Sequence, residues 1–289
     1  MITNYQELPI REEMKKAIAE MGFTEMTEIQ QKAIPELLAG KEVIAKAPTG
    51  TGKTCAFGVP MVQRIQPEKG YVQGVILCPT RELCLQITEE LQKLGKYIPG
   101  FSIVAVYGGQ SMQPQINALR KNPQIVVATP GRLMDHMRRR NVAIDRTEMI
   151  VLDEADEMLS MGFREDIETI LTQAPENRQT ILFSATMPKE IMNLIDNYQK
   201  DPTLVEINKS QVALNSIEQF YYDIPTGRKN DALGLLLHYY APSRSMVFCN
   251  TKKMVDDLTG WLLDHGFKAE GLHGDMKQSQ RTVVMDAFK

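Results

Sequence analysis

The stretch at residues 43–54 constrains the fold of this chain more than any other. A short apolar run enters a glycine-rich turn that ends in Lys53 and Thr54, and an apolar segment compatible with a helix follows. Glycines let a backbone turn tightly, so that several N–H groups and the N-terminus of the next helix face one anion. The lysine can then reach outer phosphate groups, and the threonine hydroxyl can hold Mg²⁺. This order predicts a phosphate-binding unit of strand, loop and helix.

The match to the phosphate-loop pattern is one residue short, because Ala47 stands where the strict pattern has glycine. On the pattern alone, the alternative is a glycine-rich connector that happens to end in Lys-Thr. The flanking strand-like and helix-like segments favour the phosphate loop.

Composition limits the classes of protein that this chain can belong to. A chain of 289 residues can form one large domain or two ordinary ones. A net charge of −3 excludes a generally basic nucleic-acid coat, so any contact with nucleic acid must be a local cleft. The charged N-terminal residues show no secretory signal, and no apolar run approaches transmembrane length. We expect no membrane contact.

The cysteines and histidines show no metal-binding pattern. Cys55, Cys78, Cys84 and Cys249 contain no Cys-x-x-Cys pair, and the four histidines are scattered. We expect buried, reduced thiols and a cytoplasmic location.

Apolar runs alternate with helical patterns along residues 1–207, after two predicted amphipathic helices at 11–21 and 28–39. Besides the first strand, the predicted strands are 75–78, 103–107, 125–128, 150–153 and 180–183. Beyond the phosphate loop, the predicted helices are 81–96, 111–121, 131–140, 164–173 and 188–198. Alternation of this kind predicts an α/β domain with a parallel sheet covered on both faces.

A second α/β unit is predicted after a polar stretch at 208–216, which we interpret as a linker. Its predicted strands are 217–223, 246–249 and 268–272. Its predicted helices are 229–240, 252–264 and 277–288. The unit at 217–289 therefore begins the same pattern without completing it.

The unusual residues of the first domain all follow predicted strands. They lie at 47–54, 79–81, 129–132, 153–156 and 184–186. Because ligands of open α/β sheets bind at the carboxyl ends of the strands, we expect one edge of the sheet to carry the chemistry.

Two carboxylates, Asp153 and Glu154, follow a buried strand at that edge. An aspartate there can hold Mg²⁺ through water, and the next glutamate can orient and deprotonate an attacking water. An acidic start of a solvated helix is the alternative for the pair taken alone. Together with Lys53 and Thr54, the pair predicts a nucleoside triphosphatase.

The letters Asp-Glu-Ala-Asp at 153–156 resemble the signature of the DEAD-box ATP-dependent RNA helicases. Other motifs of that family occur in its order. They are a Q motif at 22–30 with Tyr5 upstream, motif I at 47–54, and blocks at 79–83, 108–109, 129–132, 184–186, 247–251 and 273–275. Alanine at the head of motif I is normal for this family. The resemblance implies a RecA-like P-loop domain, followed by an incomplete second RecA-like domain.

The resemblance also implies roles at the nucleotide. Gln30, with Phe23 and Tyr5 nearby, would read adenine, since an amide can pair with a donor and an acceptor and aromatic faces can stack on a base. Glu154 would activate water, with Lys53 and Asp153 as the other catalytic residues and Thr54 and Asp153 as the Mg²⁺ ligands. Ser184 and Thr186 would couple nucleotide state to RNA binding. The implied ATP-binding residues of the loop are Ala47, Pro48, Thr49, Gly50, Thr51, Gly52, Lys53 and Thr54.

RNA would be bound through its backbone, where glycines permit close approach and arginines match phosphate. Little sequence preference is then expected. The implied RNA-binding residues are Pro79, Thr80, Arg81, Gly109, Thr129, Gly131, Arg132, Gln278 and Arg281. The arginines at 138–140 could extend a basic face, although a solvated helix end is the favoured interpretation. We expect a monomer and identify no protein partner.

The sequence departs from the family pattern in three places. Met26 replaces the usual proline of the Q motif, and Tyr5 replaces the commoner phenylalanine. The chain also ends before the Ala-Arg-Gly-like block and the arginine-rich block of the family, which supplies arginine fingers to ATP. We therefore expect a truncated helicase that binds ATP and Mg²⁺ but hydrolyses ATP poorly.

The function predicted from the resemblance is ATP-dependent local unwinding or remodelling of RNA duplexes. A nucleotide-gated RNA clamp would use the same motifs and remains the alternative. A DNA translocase of a neighbouring helicase family is disfavoured by the Q motif and the Asp-Glu-Ala-Asp spelling.

Overall fold

The computed structural model describes residues 2–207 and 217–288, apart from the side chains at 226, 278, 279 and 282. The chain divides into two compact units, Met1–Ser216 and Ile217–Lys289. The predicted linker at 208–216 lies outside the described residues, and the domain boundaries stay predictions.

The described residues of the first unit form a seven-stranded sheet, and its register pairs are parallel. The strand order is β3-β4-β2-β5-β6-β1-β7. The strands are β1 Val43–Lys46, β2 Gly74–Leu77, β3 Ile103–Val106, β4 Ile125–Ala128, β5 Met149–Leu152, β6 Gln179–Ser184 and β7 Thr203–Glu206. The predicted α/β fold with a parallel sheet is confirmed.

Helices cover both faces of this sheet. The first four are α1 Glu12–Glu20, α2 Glu28–Leu38, α3 Lys53–Arg64 and α4 Arg81–Leu94. The next five are α5 Met112–Leu119, α6 Pro130–Arg138, α7 Ala155–Ser160, α8 Arg164–Gln173 and α9 Lys189–Tyr198. Alternate residues of each strand point to opposite faces, so the sheet separates two apolar layers. Ile76 and Val151 pack with α1–α4, whereas Val75 and Ile150 pack with α5–α9.

One strand and one α-helix of the first unit were missing from the sequence prediction. The strand β7 pairs with β1 at one end of the sheet order, and Leu204 on it is 61% exposed. An edge strand exposed in this way need not show a continuous apolar run, which is why the pattern did not reveal it. The helix α7 is six residues long, too short for a helical period to be recognised.

The described residues of the second unit contain three α-helices, α10 Lys229–Tyr240, α11 Lys252–Asp264 and α12 Gln278–Phe288. These agree with the predicted helices. The strands predicted at 217–223, 246–249 and 268–272 are wrong, because none of these segments forms a β-ladder among the described residues. Their apolar side chains are not covered by a sheet either, with Tyr221 87% and Phe248 88% exposed.

The cysteines are free thiols, as expected. Cys55, Cys78 and Cys84 are buried, whereas Cys249 is half-buried. Burial raises the pKa of Cys55 to about 12, so this thiol stays protonated at neutral pH. Within the described part of the chain, no helix is long and apolar enough to cross a membrane.

We predict that Phe57→Ala strongly destabilises the first unit. The rings of Phe57 and Phe183 meet edge to face at 5.4 Å, and both side chains are fully buried between α3 and β6. Truncation of a buried phenylalanine costs about 3–5 kcal/mol in the free energy of unfolding. Urea denaturation measures this loss. Met192→Ala, at a position that is 45% exposed on α9, is the control and should change the value by less than about 0.5 kcal/mol. Equal effects of the two substitutions would contradict the prediction.

Candidate active site

The predicted phosphate loop lies between β1 and α3 and depends on left-handed backbone. Gly50 has φ +78° and Gly52 has φ +89°, conformations that L side chains rarely adopt. A Cβ at Gly52 would also stand 2.5 Å from Nε2 of Gln30. Ala47 is fully buried, and its N–H donates to the carbonyl of Ser184 at 3.1 Å. The loop therefore starts as a continuation of the ladder between β1 and β6.

Lys53 is the first residue of α3 and is 7% exposed. Its Nζ lies 3.7 Å from Oδ1 of Asp153 and has no hydrogen-bond partner among the described residues. A buried ammonium group normally has such partners, because burial of an unpaired charge is costly. The ion pair thus leaves the hydrogen-bonding capacity of Lys53 unused.

Asp153 directly follows β5 and is 2% exposed. Burial raises its pKa to about 6; Lys53 opposes this shift and Glu154 adds to it. The backbone N–H of Glu154 donates to Oδ1 at 3.1 Å, which favours the ionised form. Close to neutral pH the carboxylate is charged, but it is held in a poorly solvated environment.

Glu154 occupies the position just before α7 with φ +54° and ψ +50°. A left-handed conformation is uncommon for a residue other than glycine and is often kept at functional sites. This conformation ends β5 abruptly and separates the neighbouring carboxylates. Asp153 is buried beside Lys53, whereas Glu154 is half-buried and lines the adjacent cavity.

Asp156 is a site residue to which the sequence analysis assigned no role. Its Oδ2 accepts hydrogen bonds from the N–H and the hydroxyl of Thr186, at 2.9 and 2.7 Å. The Ser184 hydroxyl donates to the Thr186 carbonyl at 2.7 Å. Burial raises the pKa of Asp156, but the hydrogen bonds from Thr186, together with the nearby Ser184 hydroxyl, outweigh burial and lower the pKa overall. These contacts join the segment after β5 to the segment after β6.

Gln30 fixes the start of α2 to the phosphate loop. Its Oε1 accepts from the Tyr5 hydroxyl at 2.7 Å and from the Thr27 N–H at 2.8 Å. Its Nε2 donates to the Gly52 carbonyl at 2.9 Å. Both lone pairs of Oε1 are therefore used, and one N–H of the amide remains. The Thr27 hydroxyl adds a second bond to the loop, donating to the Thr51 carbonyl at 2.8 Å.

The stacking role expected for Tyr5 is wrong in this structure. Its ring is 1% exposed and belongs to the apolar core, so Tyr5 borders the cavity without an open ring face on which a base could stack. Tyr5 instead acts through its hydroxyl on Gln30. Phe23 is 42% exposed and keeps a free face.

A cavity of about 880 Å³ adjoins the phosphate loop. Among the predicted nucleotide residues, the structure brings ten to its wall: Tyr5, Phe23, Gln30, Thr49, Gly50, Gly52, Lys53, Thr54, Asp153 and Glu154. Ala47, Pro48 and Thr51 support the loop instead, and the Thr51 hydroxyl donates to the Pro48 carbonyl at 2.9 Å. The volume lies within the range of small-molecule sites.

The predicted RNA-binding residues of the first unit follow β2, β3 and β4. Thr80 caps α4, where its hydroxyl accepts from the Leu83 N–H at 3.3 Å. The Arg81 guanidinium lies 4.7 Å from the centre of the Tyr107 ring, and its Nε has no hydrogen-bond partner among the described residues. Pro79 precedes Thr80, and Thr129 and Gly131 lie at the start of α6.

Arg132 and Gly109 meet at the segment after β3. Both terminal nitrogens of Arg132 donate to the Gln110 carbonyl at 3.0 Å. Gly109 has φ +75°, a conformation that favours glycine. In the second unit, Arg281 lies on α12, and the side chain of Gln278 is outside the described residues. The arginines at 138–140 are exposed at the end of α6.

Two family models match this chain. The model described as DEAD/DEAH box helicase matches residues 27–194. The model described as helicase conserved C-terminal domain matches residues 228–289.

Curated relatives match over the whole chain. The DEAD-box ATP-dependent RNA helicase CshA of Bacillus cereus is 44% identical over 288 residues, which cover 100% of this chain and 55% of the relative. The ATP-dependent RNA helicase CshA of Listeria monocytogenes is 47% identical over 288 residues, again 100% of this chain and 55% of the relative. The chain thus spans about half the length of the curated relatives that it matches.

Solved structures share the fold. A DEAD box protein from the hyperthermophile Methanococcus jannaschii is 39% identical with a TM-score of 0.69, covering 99% of this chain and 77% of that protein. S. cerevisiae Dbp5 bound to RNA and ADP BeF3 is 30% identical with a TM-score of 0.86, covering 99% of this chain and 73% of that one.

We predict that Asp153→Asn stabilises the protein more at higher pH. The pKa of Asp153 is 3.8 in the unfolded chain and about 6 in the folded protein. The carboxyl group therefore loses its proton more easily in the unfolded chain. Ionisation therefore opposes folding as the pH rises from about 4 to about 6, and the whole penalty is present above that window. Between about pH 4.5 and about pH 7.5, the stability difference between variant and wild type should shift by about 2 kcal/mol in favour of the variant.

Urea unfolding of both proteins at the two pH values measures this shift. Thr180→Val, on β6 of the same sheet, replaces a buried hydroxyl without a hydrogen-bond partner among the described residues; it changes no titratable group and is the control. A difference between Asp153→Asn and wild type that does not change with pH would show that burial of the carboxylate is not penalised.

Proposed function

Because the chain belongs to the DEAD/DEAH box helicase family, we propose that it binds ATP with Mg²⁺ and hydrolyses ATP to remodel RNA. The observation that carries this proposal is the buried pair of Lys53 and Asp153, with Glu154 beside it, in a cavity that Gln30 also lines. A cytoplasmic location and a monomeric state, expected from the sequence, belong to the same proposal.

The residues at the phosphate loop fit a nucleotide with Mg²⁺. The Lys53 ammonium group is buried without a hydrogen bond among the described residues, which suits a donor to phosphate oxygens. Thr54 and Asp153 supply the oxygen ligands that Mg²⁺ prefers. No group of three or more His, Cys, Asp and Glu in the described residues could hold a metal. Mg²⁺ at nucleotide sites characteristically has few protein ligands and keeps waters and phosphate oxygens.

In the proposed reaction, Lys53 binds the outer phosphates and Glu154 orients a water molecule. Glu154 accepts a proton from this water as its oxygen forms a bond to the γ-phosphorus. The bond from that phosphorus to the bridging oxygen then breaks and leaves ADP. When bound, Mg²⁺ neutralises negative charge on the phosphate oxygens. Asp153 is held beside Lys53 at the sheet edge, where its carboxylate and the Thr54 hydroxyl would hold the metal.

Gln30 would contact adenine through its remaining N–H. Because Oε1 already accepts two hydrogen bonds, the amide has a donor to spare and no free acceptor in this conformation. A purine ring nitrogen is an acceptor that matches such a donor. Phe23 supplies the exposed aromatic face for stacking.

The contacts of Asp156 with Thr186 support the proposed coupling between nucleotide and RNA. Asp156 lies two residues beyond the proposed base Glu154, and Thr186 follows the adjacent strand. A shift of Glu154 on nucleotide binding would be passed to Thr186 and Ser184 by these hydrogen bonds.

RNA binding at the other strand ends would be independent of sequence. Thr80, Arg81, Gly109 and Arg132 offer hydroxyl, guanidinium and backbone groups, which suit phosphate and sugar rather than base edges. Two donors of Arg132 are already used on the Gln110 carbonyl, which leaves three for a phosphate.

We predict that Glu154→Gln abolishes ATP hydrolysis but preserves ATP binding. Glutamine keeps the size of glutamate but cannot accept a proton at neutral pH, so the rate should fall by about 10²–10⁴-fold. RNA-stimulated phosphate release measures hydrolysis, and calorimetric titration measures ATP affinity. Glu157→Gln, an exposed change on α7 three residues further along, is the matched control and should keep wild-type turnover. Unchanged turnover in Glu154→Gln would refute Glu154 as the base.

We predict that Tyr5→Phe weakens ATP binding. The substitution keeps the aromatic ring and removes the hydroxyl that donates to Gln30. Loss of one buried hydrogen bond, about 1 kcal/mol, should weaken ATP binding about fivefold. Tyr71→Phe is the control, because it removes an exposed hydrogen bond to Glu148 outside the cavity wall. If Tyr5 acted by stacking, the phenylalanine would bind ATP as well as tyrosine does.

A further inference from the structure

A buried polar network connects α5 and α6 behind the proposed RNA-binding surface. His136 on α6 is fully buried, and its Nε2 lies 3.1 Å from Oε1 of Gln115 on α5. Gln115 is 4% exposed, and its Nε2 donates to the Tyr107 carbonyl at 3.0 Å. The same nitrogen lies 3.5 Å from Oε1 of Gln110. None of these contacts involves the nucleotide cavity.

The hydrogen bonds of the network fix its protonation. Because Nε2 of Gln115 donates to a carbonyl, Oε1 of Gln115 must accept, so Nε2 of His136 carries the proton. Nδ1 of His136 then accepts from Nδ2 of Asn141 at 3.3 Å. Every hydrogen-bonding atom of the imidazole is satisfied in the neutral form. Burial, followed by the positive charge of Arg132, lowers the pKa of His136, and Asp135 opposes that shift.

The segment held by Gln115 begins directly after β3 and runs from Tyr107 to Gln110. The Tyr107 ring lies against the Arg81 guanidinium at 4.7 Å. The Gln110 carbonyl receives both terminal nitrogens of Arg132. Gly109 lies between them in its left-handed conformation. The segment 107–110 therefore contains one proposed RNA-binding residue, Gly109, and contacts two others, Arg81 and Arg132, which follow different strands.

We propose that His136 and Gln115 are positioning residues for RNA, which hold residues 107–110 so that Arg81, Gly109 and Arg132 meet one backbone together. This inference rests on the proposed RNA binding. Loss of the imidazole leaves Oε1 of Gln115 without its donor, and the amide is then free to rotate away from the Tyr107 carbonyl. The Tyr107 ring stays packed in the apolar core, but release of its carbonyl loosens the backbone that leads to Gln110, whose carbonyl positions Arg132.

The test compares His136→Leu with His136→Gln in the whole chain. Leucine fills space but donates no hydrogen bond, whereas glutamine can place an N–H near the former Nε2. Fluorescence anisotropy with a short single-stranded RNA, in the presence of a non-hydrolysable ATP analogue, measures RNA affinity. We expect His136→Leu to weaken RNA binding about tenfold. We expect His136→Gln to restore it to within about threefold, and ATP affinity to be unchanged in both.

A matched control separates positioning from general stability. Ile167→Val removes one methyl group from the apolar layer that α6 and α8 share, and Ile167 is fully buried. It should lower thermal stability without a change in RNA affinity. Gln115→Met should weaken RNA binding as His136→Leu does, and the double variant should be no worse than either single one, because both interrupt one connection.

Hydrogen exchange of the free protein tests the positioning without RNA. Amides in the peptide spanning residues 103–112 should exchange faster in His136→Leu than in wild type, and at the wild-type rate in His136→Gln. Unchanged exchange, or RNA binding that falls equally in Ile167→Val, would overturn the inference. If wild type itself fails to bind RNA, the proposed function fails, and the exchange data still decide whether the network holds the segment.

Discussion

When helices cover both faces of a parallel sheet, polar side chains can gather only at the ends of the strands. Here the strand interiors carry apolar side chains to both layers, so hydroxyls, carboxylates and cations collect in the segments that follow them. The central strands β2, β5, β6 and β1 are adjacent in the sheet. Their carboxyl ends therefore place the phosphate loop, the two carboxylates and the Ser184 segment side by side.

The burial of charged groups at these strand ends lowers the stability of the folded protein. Lys53 and Asp153 are both removed from water, and their 3.7 Å separation is longer than a direct hydrogen bond. Burial raises the pKa of Asp153 in spite of the neighbouring cation, which means that the pair does not fully offset its desolvation. Glu154 adds a left-handed conformation at the next residue. Strained and poorly solvated groups of this kind are typical of a site organised for a ligand rather than for stability.

Much of this arrangement could be predicted, because strand ends and glycine turns leave marks in the sequence. The spacing of apolar runs predicted the strands of the sheet. The phosphate-loop pattern at 47–54 and the two carboxylates at 153–154 predicted which residues line the candidate site. Residues whose roles depend on three-dimensional packing could not be assigned. The pattern cannot reveal that Tyr5 turns its ring into the core, or that Asp156 on α7 accepts a hydrogen bond from Thr186 in the segment after β6. The prediction of strands in the second unit was wrong for a related reason. A strand must pair with a neighbouring strand, and the local periodicity of a sequence does not show whether such a partner exists.

The two polar networks of the first unit differ in charge, and the difference suits the ligands proposed for them. Beside the phosphate loop, Lys53, Asp153 and Glu154 are ionisable groups that can respond to a nucleotide and its metal. Behind the Tyr107 segment, His136 and Gln115 form neutral hydrogen bonds, and burial opposes protonation of the imidazole. A neutral network does not attract phosphate itself, so in the proposed RNA binding it would hold Arg81 and Arg132 in place while these two cations contact the backbone. The charges that bind are thereby kept separate from the groups that position them.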